Sequence, residues 1–191
     1  MSGIIGKKLG MGQVPQETGE MTPVTYVLCE PNQIVQVKNA DKDNTNAVVL
    51  GANAVKKPTK TKKFKTLRQF NLPEKELKVG DQWTLADLGE ISEVTVVGVS
   101  KGRGFQGGVK RHNFGTARKT HGTKEARHGS TGACTAPGRT KKGLKMAGHM
   151  GVDQVTIHNR KVVKIDTENN VIAIKGPVPG SINSQVILKT K

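Results

Sequence analysis

Short runs of β-branched and aliphatic residues, each broken by Pro, Asn or Gly, recur at both ends of the chain. PVTYVLCE (23–30), QIVQVKN (33–39), NAVVLGA (46–52) and ISEVTVVGV (91–99) precede a long interruption. DQVTIHN (153–159), KVVKID (161–166), NVIAIKG (170–176) and SQVILK (184–189) follow it. Runs of this length and composition predict strands, and Asn169-Asn170 between two of them predicts a hairpin turn. No long helical period lies between the runs, so the pattern predicts an antiparallel barrel or sandwich rather than a parallel sheet. An earlier interruption, VKKPTKTKKFKTLRQFNLPEKELKVGDQW (55–83), is basic, and its Phe64, Leu67 and Phe70 are spaced like one face of a short helix. The expectation is a mainly β domain made of residues 1–99 and 152–191, with 55–83 as a basic, partly helical insertion.

The long interruption has a different chemistry. Residues 100–151 hold 12 Gly, 12 Lys or Arg, four His and a single acid, Glu125, with Val109 and Leu144 as the only Val, Ile or Leu. The whole chain carries a formal charge of +16, and +11 of it lies in this segment. Such a stretch cannot bury a face of its own and needs another molecule to supply the surface. Glycine lets backbone thread a narrow, irregular channel. Lys and Arg between the glycines neutralise phosphates, and Phe105, Phe114 and the histidines offer flat faces to unstacked bases. The partner this predicts is a structured RNA, with 100–151 as an extended, RNA-penetrating loop.

Other chemistries fit less well. Gly102, Gly104 and Gly107 have the spacing of a dinucleotide-binding loop and follow a strand-like run. That fold needs a helix opening at the glycines and an acid on a second strand about 20 residues on. VKRHNFGTARKTHGTKEARHG (109–129) follows instead, without an apolar period, and Glu125 sits in no strand. His112, His121, His128, Cys134 and His149 match no close-pair metal-ligand spacing. Ser130 near His128 lacks a third catalytic partner, and no paired carboxylates stand out. No catalytic residue, metal, cofactor or small-molecule substrate is expected.

Aromatic content of 3% and hydrophobic content of 34% are thin for a core spanning 191 residues. Cys29 and Cys134 lie far apart, which suits a reducing cytoplasm better than a disulfide. MSGIIGKKLGMGQ at the start lacks a signal-peptide core, and no stretch could span a membrane. A cytoplasmic, basic protein without membrane partners is expected.

GIIGKKLGM (3–11), SKGRGFQGGVKRHNF (100–114), THG (120–122), RHGSTG (127–132), PGR (137–139), GLKMAGHMG (143–151) and NNVIAIKGPVPG (169–180) resemble, in order, the bacterial form of large-subunit ribosomal protein L three. The resemblance implies a six-stranded β-barrel like that of translation factors, with a long extension buried in ribosomal RNA. It also implies early binding in subunit assembly, neighbouring ribosomal proteins as partners, and an extension reaching toward the peptidyl transferase centre. Motif by motif, it makes RNA contacts of Lys7 and Lys8, and of Lys101, Arg103, Gln106, Lys110, Arg111, His112 and Phe114 at the root of the extension. Further out, His121, Arg127, His128 and Ser130 match, then Arg139, Lys145, Met146 and His149 on the return. The residues' own chemistry adds Phe105 as a stacking face and Arg118, Lys119, Lys141 and Lys142 as phosphate contacts.

TGACTAP (131–137) would form the tip near that centre. Many family members carry a glutamine there, methylated in some. Ala133, Cys134 and Thr135 stand in its place, so the modification is not carried over. The function expected is a structural constituent of the ribosome that binds large-subunit RNA. The alternative is a basic nucleoid-type DNA-binding protein, although neither a recognition helix nor a symmetric β-ribbon arm is legible.

Overall fold

The computed structural model describes residues 2–16, 19–39, 43–60, 62–71, 77–89, 91–118, 120–122, 128–132 and 135–190. It separates into two compact units, Met1–Ser100 with Gln154–Lys191, and Lys101–Asp153.

The first unit is built from strands β1 (Gly3–Pro15), β2 (Met21–Leu28), β3 (Asn32–Lys38), β4 (Ala47–Ala54), β5 (Phe64–Asn71), β6 (Gln82–Trp83) and β7 (Glu93–Val99). In chain order, β8 (Phe105–Gln106) and β9 (Gly148–His149) belong to the second unit. Then β10 (Gln154–Asp166), β11 (Val171–Lys175) and β12 (Gln185–Thr190) complete the first. Six strands pair antiparallel in the order β1-β12-β7-β10-β11-β2, and β2 returns to β1, which closes the sheet into a barrel. Val and Ile alternate inward on these strands, so Val24, Val27, Val94, Val96, Ile172, Ile174, Val186 and Leu188 are buried. Asn170 at φ +55 turns β10 into β11, as the Asn169-Asn170 pair predicts. The two runs expected at 153–159 and 161–166 are one strand, with a register shift between Ile157 and Arg160.

The runs at 33–39 and 46–52 are not barrel strands. They form a second, four-stranded sheet, β5-β4-β3-β6. Ile34, Val48, Leu50, Phe70 and Trp83 from this sheet share one core with Ile4, Ile5 and Val27 of the barrel. Asn32 seals the junction by donating Nδ2 to the Ile5 carbonyl at 3.2 Å. Gly3 makes the close approach possible: a Cβ there would collide with the Leu188 carbonyl oxygen and the Phe70 ring.

The helical reading of Phe64, Leu67 and Phe70 is corrected. Phe64–Asn71 is a strand, paired with β4 from Ala47↔Asn71 to Ala54↔Phe64. Phe64 and Phe70 are six residues apart, a spacing that fits a strand's period of two as well as two helical steps. β4 supplies the hydrogen-bond partners, which decides between them. Phe70 is buried and Leu67, at an odd offset, is turned outward at 48% exposure. No helix is found among the described residues of 55–83; a 3-10 turn at Ala86–Leu88 follows just beyond them.

Candidate nucleic-acid interface

Among its described residues, Lys101–Asp153 shows no core of its own. Gly108 is the one buried residue described in it, and the buried hydrophobic residues described in the chain belong to the first unit. The unit holds twelve Lys and Arg against two acids, Glu125 and Asp153. Lys101, Arg103, Lys110, Arg118, Arg139, Lys141, Lys142 and Lys145 are all exposed.

What order it has starts from a ribbon at its two ends. Arg103 N donates to the Met150 carbonyl at 2.8 Å, and Met150 N to the Gly104 carbonyl at 3.0 Å. Phe105 then pairs with His149 and Gln106 with Gly148. Gly151, at φ +82, packs so tightly on Lys101 that any Cβ would strike the Lys101 carbonyl oxygen. Gln106 folds its side-chain amide back onto the Arg103 carbonyl. Phe105 and His149 stand opposite each other and therefore on one face of the ribbon. Both are exposed, Phe105 at 77%. A phenyl and an imidazole on one face, beside exposed Arg103, offer stacking surface and cation together.

A one-turn helix, Gly108–His112, follows. Asn113 ends it in the left-handed conformation at φ +56. The return strand clamps this helix: Arg111 Nη1 donates to the Met146 carbonyl at 2.8 Å, and His112 Nε2 lies 3.1 Å from the same oxygen. A carbonyl can only accept, so His112 Nε2 carries the proton. Phe114 covers Gly108, where a Cβ would come within 2.8 Å of the ring. Its ring also meets His112, with centroids 5.8 Å apart, and His128, at 6.4 Å and edge-on. Ser130 is exposed and bonds within its own turn, to the Gly132 carbonyl at 3.3 Å. His121 is exposed at φ +60, and Thr135 lies in an exposed turn. Lys119, Arg127, Ala133 and Cys134 fall outside the described residues.

The N-terminal pair divides. Lys7 is exposed on β1. Lys8 is 8% exposed, and its ammonium donates to the Val178 carbonyl at 2.7 Å and the Gly180 carbonyl at 3.1 Å. Strand alternation sends the two neighbours to opposite faces, so only Lys7 presents its charge to solvent. The resemblance implies RNA contact for both, while Lys8 spends its ammonium on protein carbonyls.

Sequence reasoning also passed over Met150 and Gly151, whose backbones close the ribbon. Glycines mark that return: Gly148 pairs with Gln106, and Gly151 lies against Lys101 and Gly102. Among the described residues, no three His, Cys, Asp or Glu side chains gather as a metal site, and no helix is long and apolar enough to cross a membrane.

Comparison with known proteins places this geometry. Residues 66–178 match the family model described as Ribosomal protein L3. The chain is 43% identical to large ribosomal subunit protein uL3 of a Marinomonas species, over 98% of this chain and 96% of the relative. It is 41% identical to the uL3 of Treponema denticola, over 100% and 97%. The uL3 of Dehalococcoides mccartyi is 43% identical, over 99% and 98%.

Proposed function

Since the chain belongs to the ribosomal protein L3 family, we propose that it binds large-subunit ribosomal RNA chiefly through Lys101–Asp153 and acts there as a structural constituent of the ribosome. One observation carries the reading: twelve cations lie on a unit that buries a single glycine among its described residues. A protein surface of that kind gains little from folding on itself and much from phosphates, because each neutralised phosphate releases condensed counterions. Packing RNA helices close together requires that neutralisation.

The exposed cations Lys101, Arg103, Lys110, Arg139, Lys141, Lys142 and Lys145 meet phosphates. Phe105, Phe114, His128 and His149 face bases, and Lys7 adds a contact from the barrel. Arg111 and His112 act through Met146, holding the helix against the return strand. In keeping with the family, the chain joins the large subunit early in assembly and its 131–137 tip lies toward the peptidyl transferase centre. The role is structural, not catalytic. The nucleoid alternative draws no support from the fold, because the helix Gly108–His112 is one turn long and cannot read a major groove.

Sucrose-gradient fractionation of a lysate holding the tagged protein tests the reading. Co-sedimentation with large subunits, resistant to DNase and abolished by RNase, is expected. Migration with chromosomal DNA, or as free protein, would overturn it.

A further inference from the structure

Beside the edge-on pair of Phe114 and His128 lies a hollow of about 210 Å³, also lined by Ser130, Thr131, Leu144 and Lys145. We infer that this hollow holds one unstacked nucleobase of the RNA, with the neighbouring phosphate on Lys145; the inference rests on the RNA-binding reading above and names what one part of that surface binds. Five observations point to such a ligand.

The volume suits a planar heterocycle and falls below the roughly 300–1,000 Å³ of sites that enclose drug-sized molecules. One wall is aromatic. Phe114 already packs its ring over Gly108, so a stacked base would meet a ring that is in place. His128 Nδ1 lies 3.0 Å from the Gly129 carbonyl. Only a donor suits that oxygen, so Nδ1 carries a proton and is engaged. That leaves Nε2 as the ring edge turned to a base's polar groups. Lys145, exposed at the rim, supplies a point charge for a phosphate. Ser130 has its one hydroxyl proton engaged by the Gly132 carbonyl, so toward a base it can only accept. Leu144, 40% exposed in a segment nearly without aliphatic residues, gains cover from a base opposite the aromatic wall.

The test is base-edge chemical probing of large-subunit RNA bound to the full-length protein, with dimethyl sulfate and carbodiimide, for wild type, His128→Ala, His128→Phe, Phe114→Ala and Lys145→Ala. At least one unpaired nucleotide should be protected by wild type and by His128→Phe, which keeps a stacking ring. It should become reactive with His128→Ala and with Phe114→Ala. Loss of a stacked base should also weaken binding by roughly 5- to 100-fold. Lys145→Ala should keep the protection while flattening the salt dependence. Phe114→Ala can disturb the helix by uncovering Gly108, whereas His128 makes no such contact, so the His128 pair decides. If wild type protects RNA and His128→Ala leaves every base protection unchanged, the hollow holds no base. If wild type protects no RNA at all, the wider RNA-binding reading fails and this inference with it.

Discussion

Arg111 donates from Nη1 to the Met146 carbonyl at 2.8 Å, 35 positions further along the chain. In a segment so rich in cations, this one serves the protein's own backbone. The neighbouring Lys110 is exposed. The two therefore separate a charge that organises the segment from one that meets the partner.

Lys110→Ala should weaken RNA binding and reduce the slope of log K against log salt by about 0.7–0.9, one phosphate's worth. Arg111→Ala should weaken binding more. Binding isotherms at several salt concentrations measure both. An Arg111→Ala effect no larger than that of Lys110→Ala would show that the Met146 clamp is irrelevant to binding.

Gly151→Ala should break the ribbon, because the backbone sits at φ +82 and a Cβ has no room beside Lys101. A side chain forced into that conformation costs about 1–3 kcal/mol. The Arg103 and Met150 amides, which bond across the ribbon, should exchange with deuterium faster in the variant. Gly115→Ala, with nothing within 4 Å of the added carbon, should leave both amides unchanged.

Lys8→Ala should destabilise the first unit by about 2–4 kcal/mol, since charge-assisted bonds to the Val178 and Gly180 carbonyls are lost and those carbonyls stay buried. Lys7→Ala should fall within about 0.5 kcal/mol of wild type and lower RNA affinity instead. Urea denaturation beside RNA titration separates the two outcomes. Equal stability for both variants would contradict the burial of Lys8.

Much of the barrel was legible, because β2, β7, β11 and β12 are short runs rich in Val, Ile and Leu. β1 was not. Its GIIGKKLGMGQVP carries glycines at positions 3, 6, 10 and 12 where a side chain would have marked a face. Gly3, Gly6 and Gly12 are there because Phe70, Val27 and Tyr26 pack onto bare backbone. The partner's side chain is the signal, and it lies elsewhere in the sequence. β5 failed differently: a six-residue spacing of Phe64 and Phe70 satisfies two periods, and only pairing with β4 chooses. The cation-rich, coreless character of Lys101–Asp153 was legible in composition, since cations without a core need no folded geometry to be recognised. Its internal order was not, because the carbonyls of Met146 and Met150 that organise it carry no side-chain signature.

Burial pushes the Cys29 thiol up from about 9 to about 12, and the side chain is fully buried. An acid whose proton is held more tightly in the folded state contributes stability that is present below its unfolded pKa and is lost as pH rises through the folded one. Stability should therefore fall between about pH 9 and pH 12, and Cys29→Ala should remove that part of the loss. Alkylation mapped by mass spectrometry should find Cys29 unmodified at pH 8 until the chain is unfolded. Rapid modification of Cys29 in the native protein would contradict its environment.

The central claim, that Lys101–Asp153 is the principal RNA-binding part of the chain, is tested most directly by ultraviolet crosslinking of native large subunits, followed by digestion with a protease that spares lysine and sequencing of the peptide–RNA adducts. Adducts concentrated in peptides from 101–153, with Phe105 and His149 among the crosslinked residues, are the predicted result. Adducts confined to residues 1–100 and 154–191 would contradict the account.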